Sequence, residues 1–252
     1  VKMSLQNSIE ISHLSKTFKG NLDPSVNDVS LTIKENEIFG LLGPNGAGKT
    51  TIISILCGIV KSDQGKVLLN GVDLANGNES IKKFIGVVPQ DIALYPSLTA
   101  KENLAFYGAM YGIDKKTVNE RATIWLEKLG LTKAANKKVE SFSGGMKRRV
   151  NLIASLLHEP KILFLDEPTV GVDVQSRNVI IDLLKEINQN GTTIIYTSHH
   201  LEEAQDLCTQ IAIIDYGRIL AQGSPQELID NVEKATNLED VFLHLTKRKL
   251  RD

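Results

Sequence analysis

Gly43-Pro44-Asn45-Gly46-Ala47-Gly48-Lys49-Thr50 constrains the fold more than any other stretch of this chain. It fits the pattern G-x-x-x-x-G-K-[ST] in full. Ile38 to Leu42, just before it, is a continuous apolar run, as in a strand buried on both faces of a parallel sheet. A helix is expected from about Lys49 to Gly58. Strand, glycine loop and helix in this order aim backbone N–H groups and the positive end of a helix at an anion. The glycines let the backbone wrap closely around phosphate oxygens. Residues Gly43 to Thr51 are therefore read as nucleotide-binding. Lys49 is expected to reach the β- and γ-phosphates, and Thr50 to ligate Mg²⁺.

A chain of 252 residues, 42% of them hydrophobic, can bury a full core. The net charge of −1 provides no global field that would draw it to nucleic acid or anionic lipid. Lys147-Arg148-Arg149 and the tail residues Lys247, Arg248, Lys249 and Arg251 are local exceptions, the tail being read as solvated. Cys57 and Cys208 lie far apart in apolar, helix-like stretches and read as buried reduced thiols. The first residues carry no apolar signal core. The longest nearly apolar run, Ile52 to Val60, is far short of the roughly 20 residues that cross a bilayer.

Strand patterns occur at Ile9 to Leu14 and Val29 to Ile33, and again at Lys66 to Leu69 with an Asn70-Gly71 turn. Ile85 to Pro89 is a further short strand, ending at Gln90. From about Thr99 to Glu159 there is little strand signal, and the apolar residues are spread through helical stretches, which predicts a helical insertion. Alternation then resumes. Ile162 to Leu165, Thr192 to Thr197 and Ile211 to Ile214 read as strands, with helices expected at about Val174 to Asn188 and Leu201 to Cys208. Ser224-Pro225 opens a helical tail. One α/β nucleotide-binding domain with appended pieces accommodates all of this.

Ile162 to Leu165 runs into two acids, Asp166 and Glu167. Carboxylates at the C-terminal end of a buried strand are costly unless they meet a cation or a hydrogen-bond network, and in α/β sheets ligands bind at that end. Asp166 reads as the carboxylate on the Mg²⁺ side. Glu167 is placed to polarise an attacking water, as general base or as orienter. A pair of helix-capping acids is the plainer reading.

Ahead of that strand stands Phe142-Ser143-Gly144-Gly145-Met146-Lys147-Arg148-Arg149. With the phosphate loop and the acidic pair, it resembles the signature of ATP-binding cassette (ABC) proteins. The resemblance covers about residues 8–225, including a helical insertion at about 91–160, and leaves a helical tail at 226–252. It implies a P-loop NTPase (RecA-like) α/β core with an N-terminal antiparallel β subdomain and an inserted α-helical subdomain. Gln90 resembles the glutamine that contacts Mg²⁺ and water; by itself such a residue is more often a surface amide. Asp173, in Val170-Gly171-Val172-Asp173, resembles the aspartate that crosses the dimer interface, and it also suits a helix N-cap. His199, in competition with His200, resembles the switch histidine near the γ-phosphate. Phe18 stands where the family stacks an aromatic on adenine; otherwise it is a core or edge aromatic. Ser143, Gly144 and Gly145 would bind the γ-phosphate of ATP held by a second copy of the domain. Without that role they form a plain helix start.

Phe142 and Met146 depart from the commonest family form, Leu-Ser-Gly-Gly-Gln, and leave Ser143 and both glycines intact. The run, Glu167-Pro168-Thr169-Val170-Gly171-Val172-Asp173 and the late Leu238 to Thr246 resemble the branch that serves exporters of drugs, polysaccharides, other lipid-linked cargo or ions. The resemblance implies an ATPase with ATP and Mg²⁺ as cofactors and a dimer formed on ATP. It further implies an integral-membrane permease as partner, no nucleic acid, and a place on the cytoplasmic face of the membrane. The alternative is a soluble cassette ATPase acting on nucleic acid, the ribosome or cofactor assembly. Leu94, Tyr95, Phe106, Tyr107 and Met110 are expected to be partly exposed in a groove for the membrane partner.

Overall fold

The computed structural model describes residues 6–76 and 79–246. In chain order the elements are β1 (Asn7–Lys16), β2 (Val26–Lys34), β3 (Ile38–Leu42), α1 (Lys49–Leu56), β4 (Gln64–Leu69), β5 (Val72–Asp73), α2 (Glu79–Phe84) and β6 (Ile85–Val88). Then come α3 (Ala100–Met110), α4 (Lys115–Lys128), α5 (Gly144–Leu156), β7 (Ile162–Asp166), α6 (Val174–Gln189) and β8 (Thr193–Ser198). The chain closes with α7 (Leu201–Leu207), β9 (Gln210–Asp215), β10 (Arg218–Gly223), α8 (Pro225–Asp230) and α9 (Leu238–Thr246). The basic residues 247–251 of the tail lie outside the described residues.

Two sheets organise the molecule. The first is antiparallel, in the order β2-β1-β4-β5. The second runs β10-β9-β3-β8-β7-β6 and is parallel except for the hairpin strand β10. Every residue of β3 and β7 is buried, because both faces of this sheet are covered. The period of two sorts their side chains. Phe39, Leu41, Ile162, Phe164, Ile195 and Ala212 join the core shared with α1 and the antiparallel sheet. Ile38, Leu42, Leu163, Leu165, Ile194 and Tyr196 join the opposite core, with the inserted helices and α6.

The insertion between β6 and β7 is helical, and its ends are chemically marked. Thr99 and Glu102 form a reciprocal capping box at the start of α3, and Asp114 caps α4. Asn103, fully buried, donates to the carbonyls of Tyr95 and Thr99 and accepts from the Tyr95 N–H, which shapes the loop ahead of α3. The Ser224 cap and Pro225 at the first helical position start α8 as the sequence predicts. The short α2 was not expected. It is one and a half turns long, below the length at which apolar periodicity is informative.

The exposed apolar group is smaller than anticipated. Tyr95, Phe106 and Met110 are exposed and Tyr107 is half-buried, but Leu94 is only 9% exposed and packs in the core with Leu104 and the inserted helices. The loop around Asn103 turns Leu94 inward, a constraint that sequence periodicity does not reveal.

Candidate active site

The phosphate loop begins where β3 ends, at the C-terminal edge of the parallel sheet. Gly48 takes φ 106° as the residue before α1, and Gly46 takes φ 81°. A side chain at Gly48 would meet the Ser25 carbonyl oxygen at 2.3 Å, so only glycine fits. The turn after β9 buttresses the loop from behind: the Gly217 N–H donates to the Ala47 carbonyl at 2.9 Å. Lys49 is 5% exposed, and its Nζ donates to the Gly43 and Pro44 carbonyls at 2.7 and 3.1 Å. Burial lowers its pKa, while Glu167 and Asp166 oppose the shift.

A cavity of about 540 Å³ opens over this loop. Asn45 through Thr51 line one side, and Ser25, Gln90, Glu167, Val170 and His199 close it. Three loops, following β6, β7 and β8, thus deliver Gln90, Glu167 and His199 to one place. Glu167 is their meeting point. Its Oε2 accepts from Gln90 Nε2 at 3.2 Å, and its Oε1 lies 3.2 Å from His199 Nδ1 and 3.9 Å from Lys49 Nζ. The Glu167 backbone sits at φ 48°, in the left-handed region unusual for a side-chain-bearing residue. Of the adjacent histidines, His199 lines this cavity. His200 faces a neighbouring one with Arg177 and Glu203, and burial lowers its pKa, with His199 and Arg177 adding to the effect.

Asp166 is buried behind Glu167 and accepts from the Thr197 hydroxyl at 2.6 Å. Thr50, Gln90 and Asp166 offer hard oxygen donors from a hydroxyl, an amide and a carboxylate. That set suits Mg²⁺, which takes few protein ligands and keeps waters and phosphate oxygens. No cluster of three or more acidic, histidine or cysteine ligands stands among the described residues. A phosphate-dependent Mg²⁺ site does not need one.

Ser143, Gly144, Gly145 and Asp173 are not among the residues lining this cavity. They gather elsewhere, with one another. Ser143 caps α5, its Oγ accepting from the Met146 N–H at 3.3 Å, and Ser143 and Gly144 are exposed. Asp173 caps α6 through the Ser176 N–H at 2.9 Å and also accepts from the Ser176 hydroxyl; these bonds hold its pKa low. A side chain on Gly145 would meet Ser176 Oγ at 2.4 Å, so the starts of α5 and α6 are in close contact. Phe18 lies past the end of β1, 38% exposed, with Lys16 Nζ 5.6 Å from its ring centroid. It too is outside the cavity lining.

Several connections were not foreseen. Arg148 and Arg149, read from sequence as local charge, are structural. Arg148 is buried and donates to the Pro89 carbonyl at 3.0 Å, next to Gln90. Arg149 donates to the carbonyls of Leu129 and Gly145. Asn151 accepts from the Ala93 N–H at 3.3 Å, so α5 holds both ends of the loop containing Gln90. Glu203 accepts from Thr169 Oγ1 at 2.8 Å, tying the loop after Glu167 to α7; burial raises its pKa.

Comparison with known proteins identifies the family. The family profile described as ABC transporter matches residues 26–170. The chain is 50% identical over 203 residues to the linearmycin resistance ATP-binding protein LnrL of Bacillus subtilis (strain 168), covering 81% of this chain and 65% of that protein. It is 34% identical to the doxorubicin resistance ATP-binding protein DrrA of Mycobacterium tuberculosis, over 97% of this chain and 72% of that one. It is 40% identical to the Nod factor export ATP-binding protein I of Rhizobium sp. (strain N33), over 88% and 73%. The chain thus spans about two thirds to three quarters of the length of these curated relatives. Among solved structures, an ATP-binding subunit of an ABC transporter superposes with TM-score 0.86 at 27% identity, covering 96% of this chain and all of that one. A dimeric ATP-binding cassette in a post-hydrolysis state bound to ADP and Pi superposes with TM-score 0.79 at 27% identity, over 86% and 98%.

Proposed function

We propose that this chain, which belongs to the ABC transporter family, is the ATP-binding and ATP-hydrolysing subunit of an exporter, acting through a separate membrane-spanning subunit. The observation that carries this reading is Glu167, whose carboxylate meets Gln90, His199 and Lys49 at the mouth of the phosphate loop. Residues 8–225 are the ATPase domain and 91–160 its helical insertion; of the tail at 226–252, residues up to 246 carry helices and 247–252 lie outside the described residues. Among the described residues no helix is long and apolar enough to cross a membrane. Because the relatives are named as ATP-binding proteins, the permease is assigned to another chain, and this one to the cytoplasmic face, as the family resemblance implies.

Each residue has a role in the mechanism. The N–H groups from Gly43 to Thr51 and the Lys49 ammonium bind the ATP phosphates, and Phe18 stacks on adenine. Thr50, Gln90 and Asp166 would hold Mg²⁺, which when bound would neutralise charge on the ATP phosphates. Glu167 accepts a hydrogen bond from the attacking water and directs its lone pair at the γ-phosphate. Gln90 and His199, both already in contact with Glu167, fix its orientation; His199 also reaches the γ-phosphate. Ser143 and Gly144 are exposed at a helix start, with Gly145 packed beneath them. They complete the site of a second copy, with Asp173 crossing the same interface. ATP joins the two copies, and hydrolysis releases them.

The soluble-ATPase alternative is disfavoured, because relatives sharing 34 to 50% of the sequence carry names of resistance and export ATP-binding proteins. Glu167→Gln tests the mechanism. Phosphate release should fall by about 10² to 10⁴-fold while ATP still binds, and the variant should accumulate as an ATP-bound dimer in size-exclusion chromatography. A Glu167→Gln chain that stays monomeric with ATP, Mg²⁺ and its membrane partner would sink the sandwich. Affinity purification from detergent-solubilised membranes should recover a multi-spanning partner; recovery of ribosomes or DNA alone would reverse the choice of function.

A further inference from the structure

Asp166 and Thr197 are register partners in the parallel pair β7–β8. The alternation that sends Leu165 and Tyr196 to one core sends Asp166 and Thr197 to the opposite face, toward α1 and the phosphate loop. Thr197 is fully buried. Its hydroxyl accepts from the Glu167 N–H at 3.0 Å and stands 2.6 Å from Asp166 Oδ1. The Leu165 carbonyl, at 3.4 Å, is the poorer acceptor for its proton. A hydroxyl has one hydrogen to donate. Given to an ionised carboxylate, it makes the shorter and stronger bond. The acceptor side of the same oxygen is occupied by the main chain of Glu167, where φ is 48°. Two adjacent residues with different tasks are therefore held by one atom.

We propose that Thr197 is a positioning residue for ATP hydrolysis. Its hydroxyl orients the Asp166 carboxylate on the metal side and holds Glu167 in the left-handed conformation that turns its carboxylate into the cavity. The proposal rests on the ATPase reading above. Alternation explains why β8 carries a hydroxyl at this point. A wholly apolar residue would leave the buried Glu167 N–H and one oxygen of Asp166 without partners. His199 follows on the same chain segment, so β8 sets the directions of Asp166, Glu167 and the histidine from one strand end.

The test compares Thr197→Val, which keeps the β-branched shape and removes the hydroxyl, with Thr197→Ser, which keeps the hydroxyl. In the assembled transporter, Thr197→Val should lower kcat by about 10- to 100-fold with little change in KM for ATP, and Thr197→Ser should restore most of the rate. Independently of turnover, the purified chain should need about tenfold more Mg²⁺ to strengthen binding of a fluorescent ATP analogue, with metal-free binding unchanged. Thr197→Ala is read in the same way and covers the case in which the valine methyl, set against Asp166, prevents folding. Wild-type kcat and Mg²⁺ dependence in Thr197→Val, or in Thr197→Ala where valine does not fold, overturn the proposal. So does a loss that Thr197→Ser fails to repair, since that is a packing effect. These results differ from failure of the ATPase reading itself, in which the wild-type assembly releases no phosphate.

Discussion

Gln90 Nε2 donates to Glu167 Oε2 at 3.2 Å across 77 residues of sequence. The two side chains come from loops at the ends of adjacent parallel strands, β6 and β7. On the other side of Gln90, the Pro89 carbonyl is held by Arg148 of α5. Gln90→Ala should therefore release Glu167 as well as remove an amide. We expect kcat to fall by about 10- to 100-fold and nucleotide affinity to stay near wild type. Phosphate release and equilibrium binding of a fluorescent nucleotide separate the two quantities.

Gly145 has no room for a methyl group. A Cβ there would lie 2.4 Å from Ser176 Oγ and 2.8 Å from Ser176 Cβ, and the Ser176 hydroxyl is committed to Asp173. Gly145→Ala should push the starts of α5 and α6 apart. The cost to stability should be about 1–3 kcal/mol, seen as a lower thermal midpoint. ATP binding by the isolated chain should survive, because Gly145 is not among the residues lining the phosphate cavity. Hydrolysis by the assembled protein should fall. A variant that loses monomer binding first would contradict the separation of the two surfaces.

His158 stacks on Tyr111 with ring centroids 3.7 Å apart, and its Nε2 lies 2.8 Å from the Ile85 carbonyl. Nε2 is thus the protonated nitrogen, and Nδ1 is buried without a partner. Burial lowers its pKa below 6.5, reinforced by Arg121 and opposed by the bond to Ile85. Below the unfolded-state value of about 6.5 the unfolded chain binds the proton more readily than the folded one. The His158 contribution to stability is then complete above about pH 6.5 and is lost as pH falls through the lowered folded value. His158→Phe should keep the stack and flatten the acid side of a thermal-midpoint profile between pH 7 and 5. An unchanged slope would remove His158 as its source.

Cys57 and Cys208 are buried and free. Burial pushes the Cys57 thiol up to about 12 and raises Cys208 as well. Thiolate, the reactive form, is scarce at both sites. The native protein should resist alkylation by iodoacetamide at pH 8, and both thiols should react once denaturant opens the cores, as read by intact-mass analysis. Fast labelling of the native chain would contradict this burial.

The core was legible where chemistry is local. Ile38 to Leu42 followed by a glycine loop names a buried strand and a phosphate-binding turn, because only a few backbone shapes fit that order of residues. Ser224-Pro225 likewise marks a helix start. Leu94 departs from its expected exposure because its burial depends on Asn103, nine residues on, folding the intervening loop. The role of Thr197 is illegible in the sequence for a similar reason. A threonine in a strand is ordinary until its register partner is known to be Asp166.

The sequence by itself determined most of the elements, the phosphate loop, the acidic strand end and the family, because each is written in contiguous residues whose spacing carries the physics. Only the tertiary structure decided which side chains share a site. Strand order brought Gln90, Glu167 and His199 together on one rim. The packing of α5 on α6 gathered Ser143 to Gly145 with Asp173 on a separate surface. Such choices depend on which faces are buried against which, and burial is settled by all the elements at once.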